Sequence, residues 1–297
     1  MAIKYTKYRL IYFIIAGVLA AASIVALFAF GLKPGIDFTG GSILEADYKQ
    51  DRPSNQEMRE KLSGLDLGSF SVQPTGDKGV ILKMKSIDED THAKVLENLG
   101  INEGKIEEKR FESIGPAVGA ELKGKTSLVI FLALLSMVVY IILAFRRVQR
   151  PIRSWQYGIV ALITLFHDIL IPLGVFAVLG KLYGVEITIP VITALLTVLG
   201  YSINSTVVVF DRIRENVFRG GESFEEVVDR SLNQTLTRQL NTSLTTLFVL
   251  LAIFFFGGPT LKYFSLALIL GVVSGMYSSF FISGSLLVSW LKMRNRK

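Results

Sequence analysis

The sequence predicts an α-helical membrane protein with six transmembrane helices and one small α+β, ferredoxin-like extracytoplasmic domain. Three observations predict it. Six runs of about 20 residues, the length needed to cross a bilayer, are almost free of charge. Residues 37–112, between the first two runs, carry 16 acidic and 11 basic residues, a net charge of −5. The other 9 acids and 21 bases, a net charge of +12, sit mainly at the ends of the apolar runs. With 51% apolar residues, 19% charged residues and a mean hydropathy of +0.47, the chain is more apolar and less charged than soluble domains, which average about 25% charge.

The apolar runs are residues 10–32, 126–145, 158–180, 187–210, 239–261 and 263–291. The first is too long for a signal-peptide core and no small-residue cleavage site follows it, so it is read as a retained span within residues 1–33. The domain expected to follow is residues 34–118. The remaining spans are expected at 119–146, 154–180, 186–211, 237–258 and 261–291. An amphipathic cytoplasmic segment at 212–236 and a basic tail at 292–297 complete the plan. Orientation follows lysine and arginine in the short loops. Lys4, Lys7 and Arg9, then Arg146, Arg147, Arg150 and Arg153, then Arg212, Arg214, Arg219, Arg230 and Arg238, then Lys292, Arg294, Arg296 and Lys297 all fall on one side by alternation. That side is cytoplasmic, which places both termini there in a multi-pass protein of the cell membrane. Trp155 and Trp290 fall near those same helix ends, as interfacial aromatics do.

The acidic stretch reads strand, helix, strand, strand, helix, strand, the split βαβ pattern. Residues 42–48 alternate apolar and polar, as a half-buried strand does. Ser54 is placed to cap a helix whose Met58 and Leu62 form one stripe. Residues 70–72 and 80–84 flank a turn-rich link containing Pro74, Gly76 and Gly79. Asp88 opens a second helix and Gly100 closes it. Residues 105–111 form the last strand. Gly40-Gly41 reads as a tight backbone approach rather than a phosphate cradle.

Composition narrows function. The bases lie at membrane-facing helix ends rather than on one soluble patch, so nucleic acid is not an expected partner. There is no cysteine, which excludes disulfides, thiolate metal sites and cysteine nucleophiles. With two histidines and no HExxH, no metal or cofactor is expected. No glycine-serine nucleophile motif is paired with a histidine, and no second acid lies in a span, so intramembrane proteolysis is disfavoured and no enzymatic activity is expected.

The informative residues lie inside the spans. Asp168 is the only carboxylate in its run and sits beside His167. An ionised group at mid-membrane costs at least about 2.5–3.5 kcal/mol, so it faces the bundle interior and marks a functional site. In the fourth span Thr193, Thr197 and Tyr201 step by four, Asn204 is seven past Thr197, and Ser205 is four past Tyr201. The fifth span opens with Arg238, Asn241, Thr242, Thr245 and Thr246. These stripes either line one buried polar path or act as interhelical glue. The candidate ion-coupling residues are therefore Asp168, His167, Asn204, Ser205, Arg238, Tyr201 and Thr197. Gly271, Gly275, Ser279 and Ser283 form a small-residue packing face, internal or for a partner. Ser223 and Glu226 make a capping-box pattern.

Taken together, Gly35-Ile-Asp-Phe-Thr-Gly-Gly41, Glu112-Ser-Ile-Gly-Pro-Ala-Val-Gly119, His167-Asp168, Gly200-Tyr-Ser-Ile-Asn204, Phe210-Asp-Arg-Ile-Arg-Glu-Asn216, Ser231-Leu-Asn-Gln-Thr235 with Arg238, and Gly257-Gly258 run in order along nearly the whole chain. In these stretches the chain resembles the SecF side of the SecD/SecF family, accessory subunits of the bacterial Sec translocase within the RND superfamily. The resemblance implies an RND-like six-helix bundle, pairing with SecD, contact with the SecYEG translocon, YajC and a translocating unfolded polypeptide, and use of the proton motive force to promote export. It matches Arg238 to the family's buried arginine and Asn204 to its asparagine. The family places an acid directly after that asparagine, whereas Ser205 stands here and cannot ionise. The proton step then falls to the SecD partner's acid or to Asp168, or coupling is weak; Ser205 could also suit another ion through its oxygen. A non-coupling scaffold of the SecD/SecF complex and an RND-type small-molecule exporter subunit are the alternatives.

Overall fold

The computed structural model describes residues 3–144, 151–219 and 221–295. It divides into two units, a helical one (residues 1–33 and 130–297) and a smaller one (residues 34–129). Among the described residues six helical stretches are long and apolar enough to cross a membrane. Arg146, Arg147, Arg150, Arg296 and Lys297, part of the basic-loop pattern, lie outside the described residues.

In the smaller unit, a short helix α2 (Ile36–Thr39) precedes strand β1 (Gly41–Tyr48). Helix α3 (Asn55–Leu62), strands β2 (Ser71–Thr75) and β3 (Gly79–Met84), helix α4 (Glu89–Leu99) and strand β4 (Ile106–Ile114) follow. The sheet is fully antiparallel with order β2-β3-β1-β4. This is the order a split βαβ unit produces, with each helix crossing over so that one strand lies between the two it connects. Caps fix both helices. Ser54 and Glu57 bond each other's backbone N–H groups in a full capping box. Asp88 Oδ1 accepts from Thr91 N–H at 3.0 Å, and Gly100 at φ +95° ends α4 in a left-handed conformation. Leu44, Ala46, Met58, Leu62, Val80, Leu82, Val95 and Leu99 fill the space between sheet and helices. His92 is buried on α4, its ring stacked on Phe111 of β4 at 3.7 Å between centroids.

Gly40 and Gly41 are sites of close approach. A Cβ on Gly40, at φ +73°, would lie 2.9 Å from Pro116 Cα, and one on Gly41, at φ +133°, would lie 2.9 Å from the Met84 carbonyl. Gly119 meets Gly40 N in the same way. Only glycine fits these backbones.

The helical unit contains α1 (Arg9–Phe30), the far part of α5 (Pro116–Ala144), α6 (Ser154–Tyr183), α7 (Ile189–Arg219), α8 (Phe224–Phe256), α9 (Gly258–Tyr277) and α10 (Gly284–Asn295). A π-helical turn (Ser278–Ser283) joins the last two. Two boundaries differ from the sequence reading. The amphipathic segment is the first third of α8, continuous with the span, and α7 runs on to Arg219. The physical reason is that hydropathy marks where apolar residues stop, not where helical hydrogen bonding stops. Good helix formers and the Ser223–Glu226 capping box carry both helices past the apolar zone.

The core sits between α6, α7 and the α9–α10 stretch. About 56% of the apolar window of α6 is buried within the chain, against 6% for that of α5. Tyr157 meets the Phe210 ring edge-on at 5.1 Å, amid Ile213, Val228, Leu232 and Leu287. At the basic end, the segment before α1 is tied to α8. Thr6 N–H and its hydroxyl donate to Asp229 at 2.9 Å, and Ile3 and Asn233 exchange two hydrogen bonds. Trp155 and Trp290 meet edge-on at 5.3 Å.

The stripe Gly271, Gly275, Ser279, Ser283 is an internal packing face against α7. A Cβ on Gly271 would collide with Val198, and Gly275 lies against Ser202. Gly271→Ala is expected to destabilise the bundle by about 1–3 kcal/mol through overpacking. Val198→Ala in the same chain should restore part of the loss, read as the unfolding midpoint in detergent. In the smaller unit, the hydrogen bonds from Thr91 hold the Asp88 carboxyl below its usual 3.8. The capping contribution is therefore present above that pH and fades as pH falls through the lowered value. Asp88→Ala should speed amide exchange along α4 at neutral pH, with the difference from the parent chain narrowing in acid below about 3.8.

Candidate intramembrane polar site

Asp168 lies near the middle of α6 and is 0% exposed. Four groups converge on it from three directions. Ser202 Oγ of α7 donates to Oδ2 at 2.5 Å, and Ser278 Oγ, the first residue of the π turn, donates to Oδ2 at 2.6 Å. His167 Nδ1 lies 3.0 Å from Oδ1. Ser274 Oγ of α9 donates to the Asp168 backbone carbonyl at 3.0 Å. All these side chains are buried.

Local sequence explains each contact. Pro172 is four residues after Asp168 and inside the same helix. Proline has no N–H, so the Asp168 carbonyl loses its helical partner. Ser274 supplies the missing donor, as hydroxyls do beside prolines in membrane helices. Ser274 and Ser278 are four apart and share a face. Gly275 lets α9 approach: a Cβ there would sit 3.6 Å from Asp168 Oδ2 and 3.3 Å from Ser202 Cβ. The π turn widens the helix by one residue per turn. As a result Ser278 reaches α6 while its neighbour Ser279 reaches Thr206 of α7, at 3.3 Å between hydroxyl oxygens.

The other candidates form no single path with Asp168. Tyr201 is half-buried, and its hydroxyl lies 2.8 Å from Ser243 Oγ of α8. Ser205 is 9% exposed, and its carbonyl accepts from Gln239 Nε2 at 2.9 Å, a second α7–α8 link. Thr197, Asn204 and Arg238 are exposed, on faces of α7 and α8 that no other described part of the chain covers. Thr193 and Thr197 donate to carbonyls four residues back in their own helix. Arg238 lines a shallow recess with Val208, Asp211, Arg212, Gln234 and Thr235. The structure thus makes two constellations, a sealed one around Asp168 and an open one on α7 and α8.

Ser202, Ser274 and Ser278 were not singled out from sequence. One signal could have found a partner: Pro172 four residues after an acid predicts a freed carbonyl that needs a hydroxyl from a neighbouring helix.

The family model described as protein export membrane protein SecD/SecF, C-terminal, matches residues 94–293, and that of the SecD/SecF GG motif matches residues 25–51. The chain belongs to the SecD/SecF family. The GG motif of that family falls on Gly40-Gly41, the close-approach glycines. The protein translocase subunit SecF of Thermobaculum terrenum is 42% identical, over 97% of this chain and 94% of that protein. Those of Anaerolinea thermophila and a Synechocystis strain are each 36% identical, over 95% and 96% of this chain and 92% and 91% of theirs. The crystal structure of SecDF, a translocon-associated membrane protein from Thermus thermophilus, superposes with a TM-score of 0.81 at 31% identity. That match covers 98% of this chain and 39% of the SecDF chain. A SecDF structure in a super-membrane-facing form gives 0.69 at 31% identity, covering 100% of this chain and 40% of that one. Both SecD/SecF family members are thus more than twice the length of the part this chain matches, while the single-subunit relatives are matched almost end to end.

The hydrogen bonding around Asp168 sets a stability order. Asp168→Ala leaves the Ser202 hydroxyl buried without its acceptor, at about 1–3 kcal/mol, while Ser278 keeps the Gly275 carbonyl at 3.2 Å. Asp168→Asn keeps an acceptor oxygen. The expected order of unfolding midpoints in detergent is parent, then Asp168→Asn, then Asp168→Ala.

Proposed function

We propose that this chain is the gradient-coupled accessory subunit of a Sec protein-export machinery, pairing with SecD, working beside SecYEG and YajC, and acting on an unfolded polypeptide crossing the cytoplasmic membrane. Its termini are cytoplasmic and its small α+β domain is outside. The observation that carries the reading is the sealed Asp168, an ionisable group held by hydrogen bonds from α7 and the α9–α10 stretch and kept from lipid. The family names and the near end-to-end match to SecF relatives support the export role.

The mechanism follows from charge. Adding a proton changes the net charge of a cluster in low dielectric, where an uncompensated charge costs several kcal/mol. Ser202 and Ser278 then hold a neutral rather than a charged site, and the packing of α7 and α9 against α6 shifts between two arrangements. Each charge crossing the field supplies about 2.3 kcal/mol per 100 mV. At 1.36 kcal/mol per tenfold, that is roughly a 50-fold population shift. The small α+β domain is joined covalently to the bundle through α1 and α5. Thr197, Asn204 and Arg238 form the face that SecD covers, because polar and charged side chains are costly against acyl chains.

One residue favours a second reading. Ser205 stands where the family pattern has an acid, which suits a scaffold that stabilises SecD without moving ions itself. Proton uptake by reconstituted complex with and without this subunit separates the two. On the coupled reading, Asp168→Asn and Arg238→Ala each abolish gradient-stimulated secretion while the chain still inserts at parental levels. Secretion into inverted vesicles, with and without an uncoupler, is the measurement. Parental rates from both variants would remove the coupling role.

A further inference from the structure

We propose that the Nε2 atom of His167 takes up the coupling proton, and that Asp168 is its fixed counter-charge, positioned by Ser202 and Ser278. The proposal rests on the coupled reading above and specifies its ion and its acceptor atom. Three donors converge on the Asp168 carboxyl: two hydroxyls at 2.5 and 2.6 Å on Oδ2, and the imidazole at 3.0 Å on Oδ1. We take the carboxyl in its ionised form, in which it accepts from all three. With Nδ1–H donating to Oδ1, the neutral imidazole carries its lone pair on Nε2. That atom is buried and has no hydrogen-bond partner among the described residues. The opposite tautomer would bury an orphaned N–H, which folded proteins tolerate less well than an unused acceptor. With the carboxyl ionised, the pair carries one negative charge and one unused basic atom.

Uptake is a simple proton transfer. The Nε2 lone pair forms the new N–H bond, the imidazole becomes imidazolium, and the pair passes from one negative charge to none. Nothing is oxidised and no other bond breaks. The groups facing the imidazole do not compete for the proton. From α9, Tyr277 stacks on it at 6.2 Å between centroids, with its hydroxyl donated to the Tyr12 carbonyl of α1 at 2.9 Å. Ser202 is the polar side chain that α7 brings to the pair, and among the described residues no lysine or arginine touches it. The acceptor is a nitrogen and the nearby oxygens are already in use around Asp168, so the site selects a proton over sodium, which prefers an all-oxygen shell. This also gives a subunit with Ser205 in the usual acid position a proton site of its own, inside its own bundle.

The chain has two histidines, which makes the test direct. His92 lies in the outer domain, so His92→Gln leaves His167 as the single imidazole. The full-length chain carrying 15N-histidine is placed in lipid bilayers, and imidazole nitrogen shifts are followed by solid-state NMR from about pH 5 to 8, the range over which histidines change charge. The expected result is a protonated Nδ1 with a bare Nε2 at the alkaline end, converting to a doubly protonated ring as pH falls. In an Asp168→Asn background the ring should stay neutral throughout. A protonated Nε2 at the alkaline end, or no conversion across the range, overturns the proposal. Secretion distinguishes this from failure of the wider reading. If His167→Gln keeps full gradient stimulation while Asp168→Asn loses it, the histidine assignment falls and the coupled function stands. If both keep it, the coupled function itself falls. Loss of stimulation in both, with normal assembly onto SecD, supports the assignment.

Discussion

One buried carboxylate governs the arrangement of the bundle. Desolvating an ionised group is costly, and the cost is met only where partners converge with good geometry. Asp168 therefore forces α6, α7 and the α9–α10 stretch into one close contact, where Ser202 and Ser278 reach the same oxygen. The surrounding sequence serves that contact. Gly275 removes the side chain that would hold α9 away, Pro172 frees the carbonyl that Ser274 then satisfies, and the π turn adds the residue that lets Ser278 and Ser279 point to different helices.

Within that contact Asp168 is shared by Ser202, Ser278 and His167, and Ser274 and Ser278 also bond carbonyls of their own helix. π turns occur often at functional sites, because an added residue per turn can be passed along a helix at modest cost. Here the turn lies directly beside the ionisable pair, and beyond it α10 carries Trp290 against Trp155 at the basic end. One helical segment thus runs from the turn beside Asp168 to the Trp155–Trp290 contact.

The open faces of α7 and α8 are the complement of this closed site. Thr197, Asn204 and Arg238 are exposed in the chain by itself, while single-chain SecDF structures contain more than twice the length matched here. The chain thus joins a tightly bonded interior to an exposed polar stripe on α7 and α8.

Much was legible in the sequence because it depends on local chemistry. Runs free of charge marked the apolar helices, alternation and caps at Ser54 and Asp88 marked the elements of the small domain, and a lone acid in an apolar run pointed to the buried Asp168. Helical spacing also grouped Thr197, Tyr201 and Asn204 on one stripe of α7. It did not say which neighbour that stripe meets. Periodicity fixes the faces of a helix, but crossing angles and close-approach residues on other helices decide which faces touch. The bonding of Ser202 rather than Asn204 to Asp168, and the one-residue shift of the π turn that no 3.6-residue pattern records, are decided only when the helices pack around a charge that must find its partners.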